Sequence, residues 1–192
     1  MKRWAAIVAL VPFSALLVVS IWLLTRPDPG PASFASPMRP VPETEMQLLD
    51  GGSLKLPDLK GRPYIVNIWA SWCAPCRIEH PVLVQMAGQG VEIIGVLYGD
   101  PDPTKARKIL ADEGNPFRQI VIDPTRDFGL EVGISGVPES FLVNSDGIIV
   151  KTLRAPIADA KTAQTFIDAW KAEGGKPPGA AAQATEQAPA AP

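Results

Sequence analysis

The only two cysteines of the 192-residue chain stand in Trp72-Cys73-Ala74-Pro75-Cys76, directly after the strongly apolar run Tyr64-Ile65-Val66-Asn67-Ile68-Trp69-Ala70. Two thiols with two residues between them close a disulfide without moving the rest of the chain. A strand that feeds such a pair into the start of a helix is the arrangement of a redox-active dithiol. The helix start carries partial positive charge and unpaired N–H groups, and both favour a thiolate at the first cysteine. A purely structural disulfide is the alternative reading. It explains less, because closing so short a loop removes little entropy from the unfolded chain.

Composition narrows the field. The formal net charge is only -2, so there is no electrostatic case for binding nucleic acid. One histidine and two cysteines cannot assemble the usual ligand sets of a structural zinc site, and no metal is expected.

The N-terminus carries a second strong pattern. Lys2 and Arg3 precede residues 4–24, an uncharged stretch interrupted only by Pro12, Ser14 and Ser20. As a helix it would be about 31 Å long, enough to cross a bilayer core. A cleaved signal peptide is the competing reading, with an apolar core of about 7–15 residues and a small-residue cleavage site close behind. Here Thr25-Arg26-Pro27-Asp28-Pro29 follows instead, and Ser33-Phe34-Ala35 lies too far downstream. We therefore expect a retained anchor over residues 1–24. Lys2 and Arg3 keep its N-terminus cytoplasmic, which in a bacterium places the rest of the chain in the periplasm, where thiols tend to be oxidised.

Residues 25–43 hold six prolines and read as a semi-rigid extended linker. Residues 174–192, rich in Gly, Ala, Pro and Gln, read as a disordered tail. Residues 44–173 remain for one well-packed domain. Within it, Tyr64–Ala70 predicts a strand apolar on both faces, as in a covered sheet. Ala74–Ala87 predicts a helix kinked at Pro81, and Val91–Leu97 the next strand. Asp102-Pro103 resembles an N-cap and first helical residue, opening a helix that runs to Glu113 before Gly114-Asn115-Pro116. Gln119–Ile122 predicts a short strand. Phe141–Asn144 and Ile148–Leu153 read as a hairpin turned by Ser145-Asp146-Gly147, and Ala163, Phe166, Ile167 and Trp170 mark one face of a closing helix. The fold class is α/β, a mixed sheet flanked by helices of thioredoxin type.

Three blocks carry a specific resemblance: residues 67–80 around the cysteines, Gly114-Asn115-Pro116-Phe117, and residues 133–142 from Gly133 through Val137-Pro138-Glu139 to Leu142. Together they resemble the membrane-anchored thiol:disulfide interchange proteins of cytochrome c maturation, the CcmG/DsbE type, over roughly residues 44–172. The resemblance implies a monomeric, reducing thioredoxin in an oxidising compartment with no cofactor beyond its redox-active disulfide. Its electrons would come from a membrane thiol reductase of the DsbD or CcdA kind. They would pass to the haem-site cysteines of apocytochrome c, directly or through a partner thiol protein. A general periplasmic thioredoxin serving another target, such as a copper-delivery protein, shares the anchor and the cysteine motif. A peptide-binding module with a structural disulfide is a third reading. Two positions depart from related patterns. Ser135 stands where many members carry tyrosine. Asn67, which cannot accept a proton, stands where general thioredoxins place a buried aspartate.

The site residues follow. Cys73, at the exposed positive end of the helix, is the expected attacking thiol, and Cys76, one turn in and more buried, the resolving thiol. Glu79 lies one helical turn beyond Cys76. It is either a solvated helix carboxylate or, as the resemblance implies, a group that tunes the cysteines' protons. By fold analogy Val137-Pro138 corresponds to the cis-proline loop opposite the cysteines. There the Val137 backbone would pair with an extended substrate strand, and the proline would keep metal out. Glu139 reads as a surface loop charge or, by resemblance, as an acid facing the groove. Trp72 offers a flat apolar contact beside Cys73, and Trp69 reads as core. His80 beside Pro81 reads as structural, since disulfide exchange needs no histidine base.

Overall fold

A computed structural model describes residues 16–20 and 34–176. The anchor expected over residues 1–24 lies outside the described residues except for 16–20, which are helical. Among the described residues no helix is long and apolar enough to cross a membrane. Residues 177–192 of the expected tail also lie outside them.

The domain is built on one mixed sheet. Its strands are β1 (Phe34–Ala35), β2 (Arg39–Pro40), β3 (Glu45–Leu48), β4 (Ser53–Lys55), β5 (Tyr64–Trp69), β6 (Ile93–Tyr98), β7 (Gln119–Asp123), β8 (Glu139–Val143) and β9 (Ile148–Leu153). They lie in the order β1-β9-β8-β5-β6-β7-β3-β4, with β2 also on the outer edge of β9. Strands β5, β6 and β7 are parallel, while β8 runs antiparallel to β5 and β9 antiparallel to β8. All six residues of β5 are buried, as a strand covered on both faces requires.

Four helices flank the sheet: α1 (Ala74–Gly88), α2 (Pro103–Glu113), α3 (Asp127–Val132) and α4 (Ala160–Ala172). Helix α1 continues through Pro81 and buries Cys76, Glu79, His80, Leu83 and Met86, one stripe at helical spacing. Helix α4 buries the four residues that its periodicity marks, packs against α1, and its Trp170 Nε1 donates to the Pro63 carbonyl at 2.9 Å. Asp102 caps α2 by accepting the Thr104 N–H at 3.0 Å, with Pro103 in the first turn. Gly114 closes α2 at φ 90°, a conformation open to glycine.

Several elements were not foreseen. The β3–β4 hairpin and α3 are short and carry little periodicity. Helix α3 starts where the Asp123 carboxylate accepts the Phe128 and Gly129 N–H groups at 3.3 and 2.9 Å. The linker expected over residues 25–43 needs correction from residue 34 on. Phe34–Ala35 and Arg39–Pro40 pair with β9, and the Val41 N–H donates to the Gly147 carbonyl at 2.9 Å. Val41 is buried in the core, and the Arg39 guanidinium donates to the Val132 carbonyl at the end of α3. The composition describes an extended chain correctly, but an extended chain also fits the open edge of β9. Proline is tolerated there because an edge strand need not donate on its outer side.

The sheet and the helix-side packing meet at Trp69, whose ring stacks on Phe117 at 5.3 Å between centroids. Gly95 on β6 makes room for this pair, because a Cβ there would lie 2.9–3.1 Å from the Phe117 ring. Gly95→Ala should therefore displace Phe117 and cost about 1–3 kcal/mol, read as a lower urea midpoint at unchanged slope. An unchanged midpoint would mean that Phe117 moves freely.

Candidate active site

Strand β5 ends at Trp69 and delivers the chain into the cysteine loop, while β8 starts at Glu139, directly after Pro138. Because the two strands are antiparallel, with Ile68 opposite Glu139, both loops emerge at the same end of the sheet. Cys73 and Cys76 are joined as a disulfide across the start of α1. Cys73 is the N-cap residue, and its Sγ accepts the Cys76 N–H at 3.1 Å. The expected contrast in exposure is absent: the two residues are 3% and 4% exposed. In the disulfide-bonded form both cysteines are buried, flanked by the exposed residues Trp72, Ala74 and Pro75. What separates the thiols is their place on the helix, one at its cap and one within its first turn.

Trp72 is 54% exposed, as a contact surface beside the disulfide must be. Its indole N–H reaches the Gly99 carbonyl at 3.4 Å. Beside it Asp100, buried, accepts the Ser71 N–H at 2.6 Å and the Asp102 N–H at 3.1 Å, fixing the loop that leads into the cysteines. Nothing in the sequence singles out Asp100, because its role depends on β6 lying next to β5.

The Val137–Pro138 peptide bond is cis. Residues Ser135 to Pro138, together with Pro75 and Arg154, line a groove of about 200 Å³, so the chain between the cysteines and the proline loop face the same space. Val137 makes no hydrogen bond among the described residues.

Two carboxylates lie behind this groove, and neither is solvated. Glu79 is fully buried. One oxygen accepts the Asn67 side-chain N–H at 2.8 Å and the other the Ile157 backbone N–H at 2.9 Å. Burial pushes its pKa up to about 7, against the opposing pull of those two hydrogen bonds. Glu79 and Cys76 share the buried stripe of α1 three residues apart, a spacing that makes them neighbours on a helix. Glu139 is also fully buried, so the surface-charge reading fails. It accepts the Arg154 Nε–H at 3.1 Å and the Ser135 N–H and hydroxyl at 3.0 and 3.2 Å. Ser135 thereby anchors the proline loop to the first residue of β8, and Arg154 stands between Glu139 and the groove.

His80 is buried and its Nε2–H donates to the Gly114 carbonyl at 2.8 Å, tying α1 to the end of α2. Burial pushes its pKa down, so the neutral ring is favoured. Trp69 is 3% exposed, in the core. Among the described residues no cluster of His, Cys, Asp or Glu could hold a metal ion.

Comparison with known proteins agrees with this geometry. A Redoxin family model matches residues 37–167. The thiol:disulfide interchange protein DsbE of Pseudomonas fluorescens biotype C is 38% identical over 152 residues, covering 78% of this chain and 83% of that protein. The protein of the same name from Escherichia coli strain K12 is 36% identical over 156 residues, covering 78% and 84%. The chain belongs to the DsbE-type thiol:disulfide interchange proteins of the Redoxin family. The solved structure of a secreted thiol-disulfide isomerase from Corynebacterium glutamicum shares the fold, with a TM-score of 0.62 at 20% identity over 74% of this chain and 91% of that one. The DsbE-type chain is thus a thiol:disulfide oxidoreductase, with Cys73 and Cys76 as its Cys-x-x-Cys pair.

The raised pKa of Glu79 has a consequence for stability. A carboxyl that titrates near 7 when folded and at 4.5 when unfolded binds its proton more tightly in the native state. The stability it contributes is fully present below pH 4.5 and is lost as pH rises through 7. At about 1.4 kcal/mol per pH unit this amounts to about 3 kcal/mol. Urea unfolding of the oxidised protein at pH 4.5 and 7.5 should show that difference between wild type and Glu79→Gln, with the variant lacking the loss. Parallel pH dependences would contradict the burial of an ionisable Glu79.

Proposed function

We propose that this chain is a disulfide reductase held at the bacterial inner membrane by residues 1–24, with its catalytic domain in the periplasm. Its substrate is the haem-site disulfide of apocytochrome c, or a partner thiol protein of cytochrome c maturation. The reading is carried by the buried Glu79 one helical turn behind Cys76, in a site that also opens a groove between Pro75 and Val137. Two of the sequence blocks that resemble the cytochrome c maturation proteins, residues 67–80 and 133–142, contribute residues to this site.

The chemistry runs from the reduced pair. The Cys73 thiolate, favoured at the N-cap of α1, attacks one sulfur of the substrate disulfide, and the other sulfur leaves as a thiolate. An extended substrate peptide lies in the groove, where the unpaired backbone of Val137 offers it strand-like hydrogen bonds. Cys76 then gives its proton to the Glu79 carboxylate, whose pKa of about 7 suits it to accept a proton at neutral pH. The Cys76 thiolate attacks Cys73 Sγ, closing the Cys73–Cys76 disulfide and releasing the substrate's second sulfur as a thiolate. Two electrons have moved to the substrate, and protons from Glu79 and solvent complete its thiols. A membrane dithiol reductase of the DsbD or CcdA kind returns the pair to the reduced state.

Titration of the full chain against glutathione and dithiothreitol buffers should give a reversible two-electron couple between about -180 and -270 mV. Cys76→Ser should trap mixed disulfides with apocytochrome c or a maturation thiol protein, and Cys73→Ser should trap none. Capture of a copper-delivery protein in their place would assign the general thioredoxin role instead.

A further inference from the structure

Asn67 occupies the middle of β5, is fully buried, and leaves one polar atom unexplained. Its Nδ2 donates twice, to Glu79 Oε1 at 2.8 Å and to Ser140 Oγ at 3.0 Å. Its Oδ1 is buried and has no donor. Buried acceptors without a partner are uncommon, and this one lies on the residue that holds Glu79, the buried carboxylate one helical turn beyond Cys76.

The arrangement suits one protonation state of Glu79. An ionised carboxylate only accepts, and here each oxygen receives an N–H, one from Asn67 and one from Ile157. Once Glu79 takes a proton, its new O–H needs an acceptor, yet the atom facing Oε1 is a donor. A half-turn of the Asn67 amide about its terminal torsion, which is broad and nearly two-fold, exchanges Oδ1 for Nδ2. The oxygen then accepts from the Glu79 O–H and from the Ser140 hydroxyl, which serves equally as donor or acceptor. In either orientation one end of the amide is unpartnered and the other satisfies Glu79 and Ser140. The proton on Glu79 decides between the two.

We propose that Asn67 is a positioning residue for the proton-transfer step, its amide turning over as Glu79 gains and loses the proton of Cys76. The proposal rests on Glu79 being the proton acceptor of Cys76. No ionised side chain competes for Glu79 among the described residues. Asn67 reaches it from β5, with Ser140 of β8 bonded to the same amide, and the chain after β9 offers the Ile157 amide. Arg154 is bonded to Glu139, and on α1 the titratable neighbours are Cys76 and His80, the latter bonded to Gly114.

The rate at which Cys76 resolves a mixed disulfide between Cys73 and a thiol peptide, followed against pH in the full chain, tests this. Wild type should show an ionisation near that of Glu79, and Glu79→Gln should abolish it. Asn67→Ala removes a charge-assisted bond to the carboxylate and a weaker neutral bond to the protonated acid, so the ionisation should move up by about half to one pH unit. Resolution should slow about three- to tenfold at pH 6 and recover at pH 8.5. A merely structural loss would lower the rate equally at every pH. An ionisation left in place by Asn67→Ala overturns the proposal while leaving Glu79 as the acceptor. A profile unmoved by Glu79→Gln removes the underlying reading of Glu79. Should Asn67→Ala not fold, nitrogen NMR of the wild-type Asn67 side-chain amide decides: a midpoint shared with Glu79 supports the turnover, and a pH-invariant signal refutes it.

Discussion

The antiparallel pairing of β5 with β8 sets Asn67 opposite Ser140 and Ile68 opposite Glu139, and the active site depends on that register. It brings the cysteine loop and the proline loop out at one end of the sheet. It also turns Asn67 and Ser140 toward the helix face and Glu139 toward the opposite side. A slip of β8 by one residue would turn Ser140 away from Asn67 and bring the Glu139 carboxylate to the face that Glu79 occupies. The buried hydrogen bonds from Asn67 to Glu79 and Ser140 hold α1 to the sheet at the point where the chemistry occurs.

Burying Glu79 is costly, and the fold keeps part of that cost. Two N–H donors stabilise its charge, but desolvation outweighs them and the pKa remains high. A carboxyl paired with arginine would have stayed ionised and been of little use as a proton acceptor at neutral pH. Glu139 is bonded differently: Arg154 and Ser135 both donate to it, and these bonds anchor the proline loop. The two buried acids thus differ in their partners: one has a cation and the other only amides.

The edge of the sheet shows where composition misleads. Prolines between residues 25 and 43 indicate extended chain without indicating whether it has a neighbour. From residue 34 the chain runs along β9, Val41 enters the core, and Arg39 reaches the end of α3. Whether an extended segment is free or paired depends on an open strand edge contributed by residues more than a hundred positions away, which no local pattern reveals.

The sequence by itself determined the redox pair, the covered strand before it, the helices with clear caps and apolar stripes, and the structural place of Trp69. These follow from local rules: spacing, periodicity and capping chemistry act within a few residues. It also raised Glu79 and Glu139 as candidates while leaving each with a solvated alternative, since burial is not a local property. Only the tertiary structure decided that both are buried, that Asn67 holds Glu79, that Arg154 answers Glu139, and that Asp100 braces the cysteine loop. Each of these contacts joins residues 12 to 29 positions apart in the chain, or crosses between strands whose order the sequence does not state. A hydrogen bond inside a protein is fixed by sheet register and by what excludes water around it, and both exist only once the chain has folded.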